Sequence, residues 1–184
     1  PITVVLTATG CPGAAALIRT LRANGERDVT IVGTDMRAEA AGRFLCDRFV
    51  QVPAGSSDEY VGALADVVAG ERPDILFVQS SAEVGPVAHA RAVFEDLGAR
   101  VLVAGAAAVD LCNDKGAMYA ALADRPVPQP ETLAVRSLDA FVAACERLGY
   151  PDGPVCFKPP VGKGSRGFRV LRPDVDRAAV ILRE

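Results

Sequence analysis

Aromatic residues are scarce in this 184-residue chain, at 5% of positions, and tryptophan is absent. Unpaired bases therefore have few rings on which to stack. Positive charge is not in excess either. Twenty Lys and Arg stand against 23 Asp and Glu, giving a net charge of -3 and a pI near 5.3. No broad basic face is available to neutralise a nucleic-acid backbone. The single histidine, His89, cannot build a His-based triad or a histidine metal site. The five cysteines (Cys11, Cys46, Cys112, Cys145 and Cys156) are odd in number and never spaced as C-x-x-C. That pattern supports neither a disulfide framework nor a zinc site. No apolar run reaches the roughly 18 residues of a membrane span. The chain opens on strand-like residues without a signal-peptide pattern, which leads us to expect a cytoplasmic protein.

Half of the residues are hydrophobic, enough for an ordinary buried core. The run ITVVLTA (2–8) predicts a strand, and TGCPG then leads into AAALIRTLRANG, an amphipathic helix closed by Gly25 with Pro12 as its first residue. DVTIVGTD and RFVQVP (48–53) predict the next two strands. SSDEYVGALADVVAGERP predicts a serine-capped helix stopped by Gly70 and Pro73. DILFVQS (74–80) and ARVLVAG (99–105) predict two more strands around a helix over 83–98. Near-continuous apolar strands alternating with helices mean a parallel α/β sheet covered on both faces, Rossmann-like and of about five strands.

Beyond residue 105 the pattern changes. AAAVDLCNDKGAMYAALAD predicts helix broken near Asn113, and RPVPQPETLAV a stiff proline-rich connector entering a strand. SLDAFVAACERLGYP predicts a serine-capped helix. Then comes GPVCFKPPVGKGSRGFRVL (153–171), a strand, a glycine loop and a strand, with PDVDRAAVILRE starting a helix. A unit this small covers its own sheet poorly and resembles the front end of a larger domain. The glycines can turn backbone N–H groups toward an anion, while Lys158 and Ser165 add a charge and a hydroxyl. The alternative is a solvated hairpin loop with incidental charge. A strand rather than a helix follows the loop, which excludes a Walker A motif and a G-x-G-x-x-G dinucleotide turn.

The segments LCNDKGAMY (111–119), PVPQPET (126–132), LGYP (148–151) and FKPPVGKGSRGFRV (157–170) resemble the opening of an ATP-grasp domain, in order and spacing. Residues 1–110 are similar to the Rossmann-like domain that precedes it, and 111–184 to its N-terminal α+β portion. The likeness is to proteins of the carbamoyl-phosphate-synthase large-chain type and their stand-alone relatives. It implies the N-terminal part of an ATP-dependent carboxylate–amine ligase working through an acyl phosphate, with ATP and magnesium as cofactors. Lys115 and Lys158 would meet the α- and β-phosphates, and Gly162, Gly164, Ser165 and Gly167 would fold over the β- and γ-phosphates. The family's adenine hinge and its magnesium ligands lie C-terminal of the loop, which implies that they fall beyond Glu184. We therefore read the chain as an N-terminal piece, unable to turn over ATP by itself. The partners implied are ATP and a small carboxylate or amine, with no nucleic acid and no membrane. A homo-oligomer, or a partner chain supplying the rest of the domain, stays open.

The first domain offers weaker candidates. The TGCPG loop carries Gly10, which the resemblance places at the ligase cleft over an acceptor substrate. Cys11 beside it is either a packed turn residue or a thiol activated by a helix N-terminus. Asp35 ends the second strand where a ribose-binding acid could sit, but one glycine of the dinucleotide fingerprint is missing. Glu83 lies at the carboxyl edge of the sheet, where α/β ligands bind. It is either a substrate contact or a first-turn helix acid. Two other readings remain: a non-catalytic scaffold or partner subunit, and a nicotinamide-dependent enzyme. The acceptor substrate itself is not legible.

Overall fold

The computed structural model describes residues 1–162, 164 and 166–173, and the chain divides into two compact units, Pro1–Val109 and Asp110–Glu184. The first unit holds five parallel strands: β1 (Ile2–Leu6), β2 (Val29–Asp35), β3 (Arg48–Gln51), β4 (Ile75–Phe77) and β5 (Arg100–Leu102). Their spatial order is β3-β2-β1-β4-β5. The chain thus moves outward through β2 and β3, returns to the other side of β1, and continues outward to β5. That reversal makes a topological switch point between β1 and β4, the place where open α/β sheets present a crevice.

Alternation along the strands fills both faces. Leu6 and Ile31 pack with Ile18 of α1 (Ala14–Arg22). Val5, Val32 and Leu76 pack with Tyr60 and Leu64 of α2 (Tyr60–Glu71) and with Phe94. Each of these side chains is at most 1% exposed, and such burial contributes about 1.5–3 kcal/mol per large apolar side chain.

Local structure departs from the sequence reading in several places. Helix α1 begins at Ala14 with Gly13 as its N-cap, so Pro12 stands outside it. Helix α2 has Glu59 at its N-cap with no side-chain cap; Ser57 Oγ instead accepts from the Glu59 amide in the preceding turn, at 3.3 Å. It also passes through Gly70 and stops only at Arg72, which is left-handed at φ 46° just before Pro73. The helix expected over 83–98 is two helices, α3 (Val84–His89) and α4 (Arg91–Asp96), which meet at Ala90. His89 therefore ends a helix, exposed, rather than lying inside one. Among the described residues no helix is long and apolar enough to cross a membrane.

The second unit contains helices α5 (Ala106–Asn113, beginning in the first unit), α6 (Lys115–Leu122) and α7 (Leu138–Arg147), and an antiparallel pair, β6 (Val155–Phe157) and β7 (Arg169–Leu171). The helix break falls at Asp114, whose carboxylate caps α6 by accepting from the Ala117 amide at 3.0 Å. Ser137 caps α7 through the Ala140 amide at 3.2 Å. The strand expected after the prolines does not form: residues 127–136 have no regular structure. Cys145, Tyr150, Val155 and Leu171 make the small core of this unit. The helix expected from residue 174 onward lies outside the described residues.

Candidate functional site

Two clusters of polar groups stand out, one in each unit. In the first unit, the carboxyl ends of β1 and β4 are tied together at the switch point. Thr7 donates its hydroxyl to Glu83 Oε2 at 2.6 Å and accepts the Gln79 amide at 3.3 Å. The Gln79 side-chain amide donates to the Thr7 carbonyl at 2.9 Å. Glu83 occupies the N-cap position of α3 without capping it, and it is only 6% exposed. Burial pushes its carboxyl above the ordinary glutamate range, the Thr7 hydrogen bond opposes this, and the Asp35 charge adds to the rise. The fully buried Tyr60 hydroxyl lies beside the same pair without a bond of good geometry. Burial likewise holds its proton on. Glu83 is thus neither a solvated first-turn acid nor an open carboxylate. It joins two loops.

The loop after β1 is equally constrained. Ala8 is left-handed at φ 50°, a conformation that costs a non-glycine residue about 1–2 kcal/mol. Gly10 is exposed and donates its amide to Asp35 Oδ2 at 2.7 Å, while Asp35 Oδ1 takes the Arg37 amide at 2.9 Å. Asp35 is 7% exposed and serves the backbone of its own edge, an arrangement that gives no support to ribose binding. The Cys11 thiol is pushed up by burial and by the nearby Glu83 and Asp35 charges. That direction runs against activation by a helix end, and α1 starts three residues later.

The second cluster is a pocket of about 280 Å³ lined by Lys115, Lys158, Pro159, Gly162, Arg166 and Phe168. Asp114 and Val161 form an isolated antiparallel bridge, and the Lys115 amide donates to the Pro160 carbonyl at 2.9 Å. The start of α6 is thereby fixed against the segment leaving β6. The Lys115 ammonium donates to the carbonyls of Gly162 at 3.2 Å and Pro160 at 3.4 Å. The Lys158 ammonium stands over the Phe168 ring, 5.5 Å from its centroid. Among the described residues no carboxylate pairs with Lys115, Lys158 or Arg166.

The returning end of the loop turns on Gly167, at φ 72°, where a Cβ would stand 2.9 Å from Pro159 Cγ. A side chain is excluded there twice over, by conformation and by contact. Gly164 is also left-handed, at φ 60°. Ser165 and Lys163 lie outside the described residues.

The structure therefore gathers Lys115, Lys158 and Gly162 into one pocket, with Gly164 and Gly167 at the turns of its loop. Gly10 and Glu83 belong to the other unit. Sequence reasoning missed Phe168 and Pro159 as pocket walls, and Thr7 and Tyr60 as neighbours of Glu83. A signal for Phe168 existed: antiparallel pairing of the two strands flanking the loop sets Lys158 opposite it. Nothing local in the sequence marks Tyr60. Among the described residues no group of three His, Cys, Asp or Glu side chains gathers as a metal site would require.

No family model matches the chain. It is 29% identical over 93 residues to the glutamate–LysW ligase ArgX of Sulfolobus acidocaldarius, a match covering 50% of this chain and 32% of that protein. Among solved structures it is similar to N5-carboxyaminoimidazole ribonucleotide synthetase from Thermotoga maritima, with a TM-score of 0.63 and 18% identity. That match covers 96% of this chain and 42% of the other. The biotin carboxylase domain of Hydrogenobacter thermophilus 2-oxoglutarate carboxylase, solved with MgADP, ADP and bicarbonate, gives a TM-score of 0.64 at 18% identity, over 92% and 37% of the two chains. The chain thus spans well under half the length of each of these proteins. The solved structures it resembles are ATP-grasp proteins, and its fold is that of their N-terminal portion.

Proposed function

We propose that the chain is the N-terminal part of an ATP-dependent carboxylate–amine ligase and that the pocket of the second unit receives the phosphates of ATP. One observation carries this reading: three cationic residues line a small pocket and, among the described residues, none of them has a carboxylate partner. Like charges left together without a counter-ion repel, and an anion arriving between them relieves that repulsion. Lys115 and Lys158 would meet the α- and β-phosphates. Gly162, Gly164 and Gly167 would let backbone amides close on the phosphate chain, and Ser165 would add a hydroxyl toward the γ-phosphate. ATP would supply the phosphoryl group that activates a carboxylate as an acyl phosphate for attack by an amine.

Magnesium would accompany the nucleotide, and we assign its protein ligands to positions outside the described residues. The cationic pocket suits phosphate oxygens rather than a metal ion. Residues 1–110 would serve as the preceding domain, with Gly10 and the Glu83 loop at its carboxyl edge facing a small carboxylate or amine acceptor. A cytoplasmic location belongs to this reading, since ATP is consumed there.

Titration calorimetry of the full-length native protein with a non-hydrolysable ATP analogue tests the proposal, with NAD as the control ligand. Saturable binding of the analogue and none of NAD is expected. Binding of NAD alone would replace this reading with a nicotinamide-dependent one.

A further inference from the structure

Three converging cations must be held in place by something, and a carboxylate would hold them only by cancelling the charge that the pocket presents. For the two lysines the structure uses neutral groups instead. Two backbone carbonyls hold Lys115, and an aromatic face holds Lys158. The second arrangement follows from strand geometry. In the β6–β7 ladder Val155 faces Leu171, Cys156 faces Val170, and Phe157 faces Arg169. One more step brings Lys158 opposite Phe168, where side chains of directly opposed residues meet on one face of the pair. Alternation puts Val155 and Leu171 into the core and leaves Lys158 and Phe168 on the exposed face. Phe168 is 38% exposed, so its ring face is open to the Lys158 ammonium rather than closed into the core.

We propose that Phe168 is a positioning residue for Lys158: its ring face holds the ammonium at the pocket while leaving the full positive charge free for an anion. This role rests on the nucleotide reading above for its purpose, but the contact itself does not. A lysine stem has four rotatable bonds, and an unheld ammonium would spread over many rotamers. A ring face attracts a cation through its quadrupole without neutralising it. Leucine in place of Phe168 keeps apolar bulk and removes the quadrupole, whereas tyrosine keeps both.

The test uses full-length protein carrying 13C-labelled lysine, with the Lys158 signal assigned by its loss in Lys158→Arg. A methylene group over a ring face resonates upfield of a free lysine. We expect the Lys158 ε-methylene to be shifted upfield in the wild type and in Phe168→Tyr, and to return to the free position in Phe168→Leu. Inorganic tripolyphosphate, which has no base to contact the ring, should bind Phe168→Leu about two- to fivefold more weakly than wild type, with Phe168→Tyr close to wild type. A Lys158 signal at the free position in the wild type overturns the proposal, as does undiminished tripolyphosphate binding by a folded Phe168→Leu. A shifted signal in a wild type that binds neither tripolyphosphate nor ATP upholds the contact and overturns the nucleotide reading.

Discussion

Thr7 and Glu83, 76 residues apart, share a buried hydrogen bond of 2.6 Å that joins the carboxyl ends of β1 and β4. The sheet reverses its winding between these two strands, so their loops have no covering strand connection of their own. The Thr7–Glu83 bond supplies a link, and Gln79 adds a second through the Thr7 carbonyl. The price is a carboxyl group away from water.

That burial makes the first unit sensitive to pH in a definite sense. The Glu83 carboxyl is raised in the folded state, chiefly by burial, so the folded chain holds this proton more tightly than the unfolded chain. Its contribution to stability is complete below the ordinary glutamate pKa and is lost as pH rises through the raised folded value. Asp47 acts oppositely. It is lowered, first by the Ile31 amide and then by Arg22, and it supports the fold above the ordinary aspartate range. Glu83→Gln should therefore flatten the loss of stability on the rising-pH side, leaving the acid limb in place. Urea midpoints across about pH 4 to 8 check this; an unchanged slope in Glu83→Gln would sink it.

Arg72 ends α2 in the left-handed region, its amide donating to the Val68 carbonyl. It is exposed, so little packing is at stake. Glycine adopts this conformation without the side-chain penalty, though it also gains freedom in the unfolded chain. Arg72→Gly should stabilise the protein by up to about 1 kcal/mol. The readout is a higher urea midpoint at unchanged slope, and a lowered midpoint would contradict the assignment.

The opposite experiment applies at Gly167. Alanine there meets both a φ of 72° and Pro159 Cγ at 2.9 Å. Gly167→Ala should cost about 1–2 kcal/mol from conformation and shift the loop away from Pro159. Chemical shifts of the Lys115 and Gly162 amides report that displacement. Spectra superimposable on wild type would mean that the loop does not turn on Gly167.

These positions also show where sequence reasoning reaches and where it stops. The parallel sheet was legible because its strands are buried on both faces and read as near-continuous apolar runs. The cap at Ser137 was legible because capping is a short-range exchange between a side chain and an amide three residues on. The end of α2 was legible at Pro73 but not at Gly70. Gly70 is a weak local stop that tertiary packing of Val67 and Val68 overrides, and the break came at Arg72 beside Pro73. The unbroken helix expected over 83–98 failed for a similar reason: the chain bends at Ala90, and α3 and α4 bury different residues, Val87 and Phe94. Lys158 and the glycines drew notice as a basic glycine loop, and Lys115 only through the resemblance of its motif to the opening of an ATP-grasp domain. The isolation of Asp35 from solvent was not, because it depends on Gly10 and Arg37 reaching it in three dimensions.

In the proposed function Lys115 and Lys158 present their charge to the phosphates of a nucleotide. Calorimetry of the full-length protein with a non-hydrolysable ATP analogue, on wild type, Lys115→Ala and Lys158→Ala, tests it most directly. Each substitution removes a charged hydrogen-bond donor, an effect of roughly 1.5–3 kcal/mol, so each should weaken binding about 10- to 150-fold. Circular dichroism confirms that each variant is folded. Analogue affinity equal to wild type in both folded variants would contradict the account.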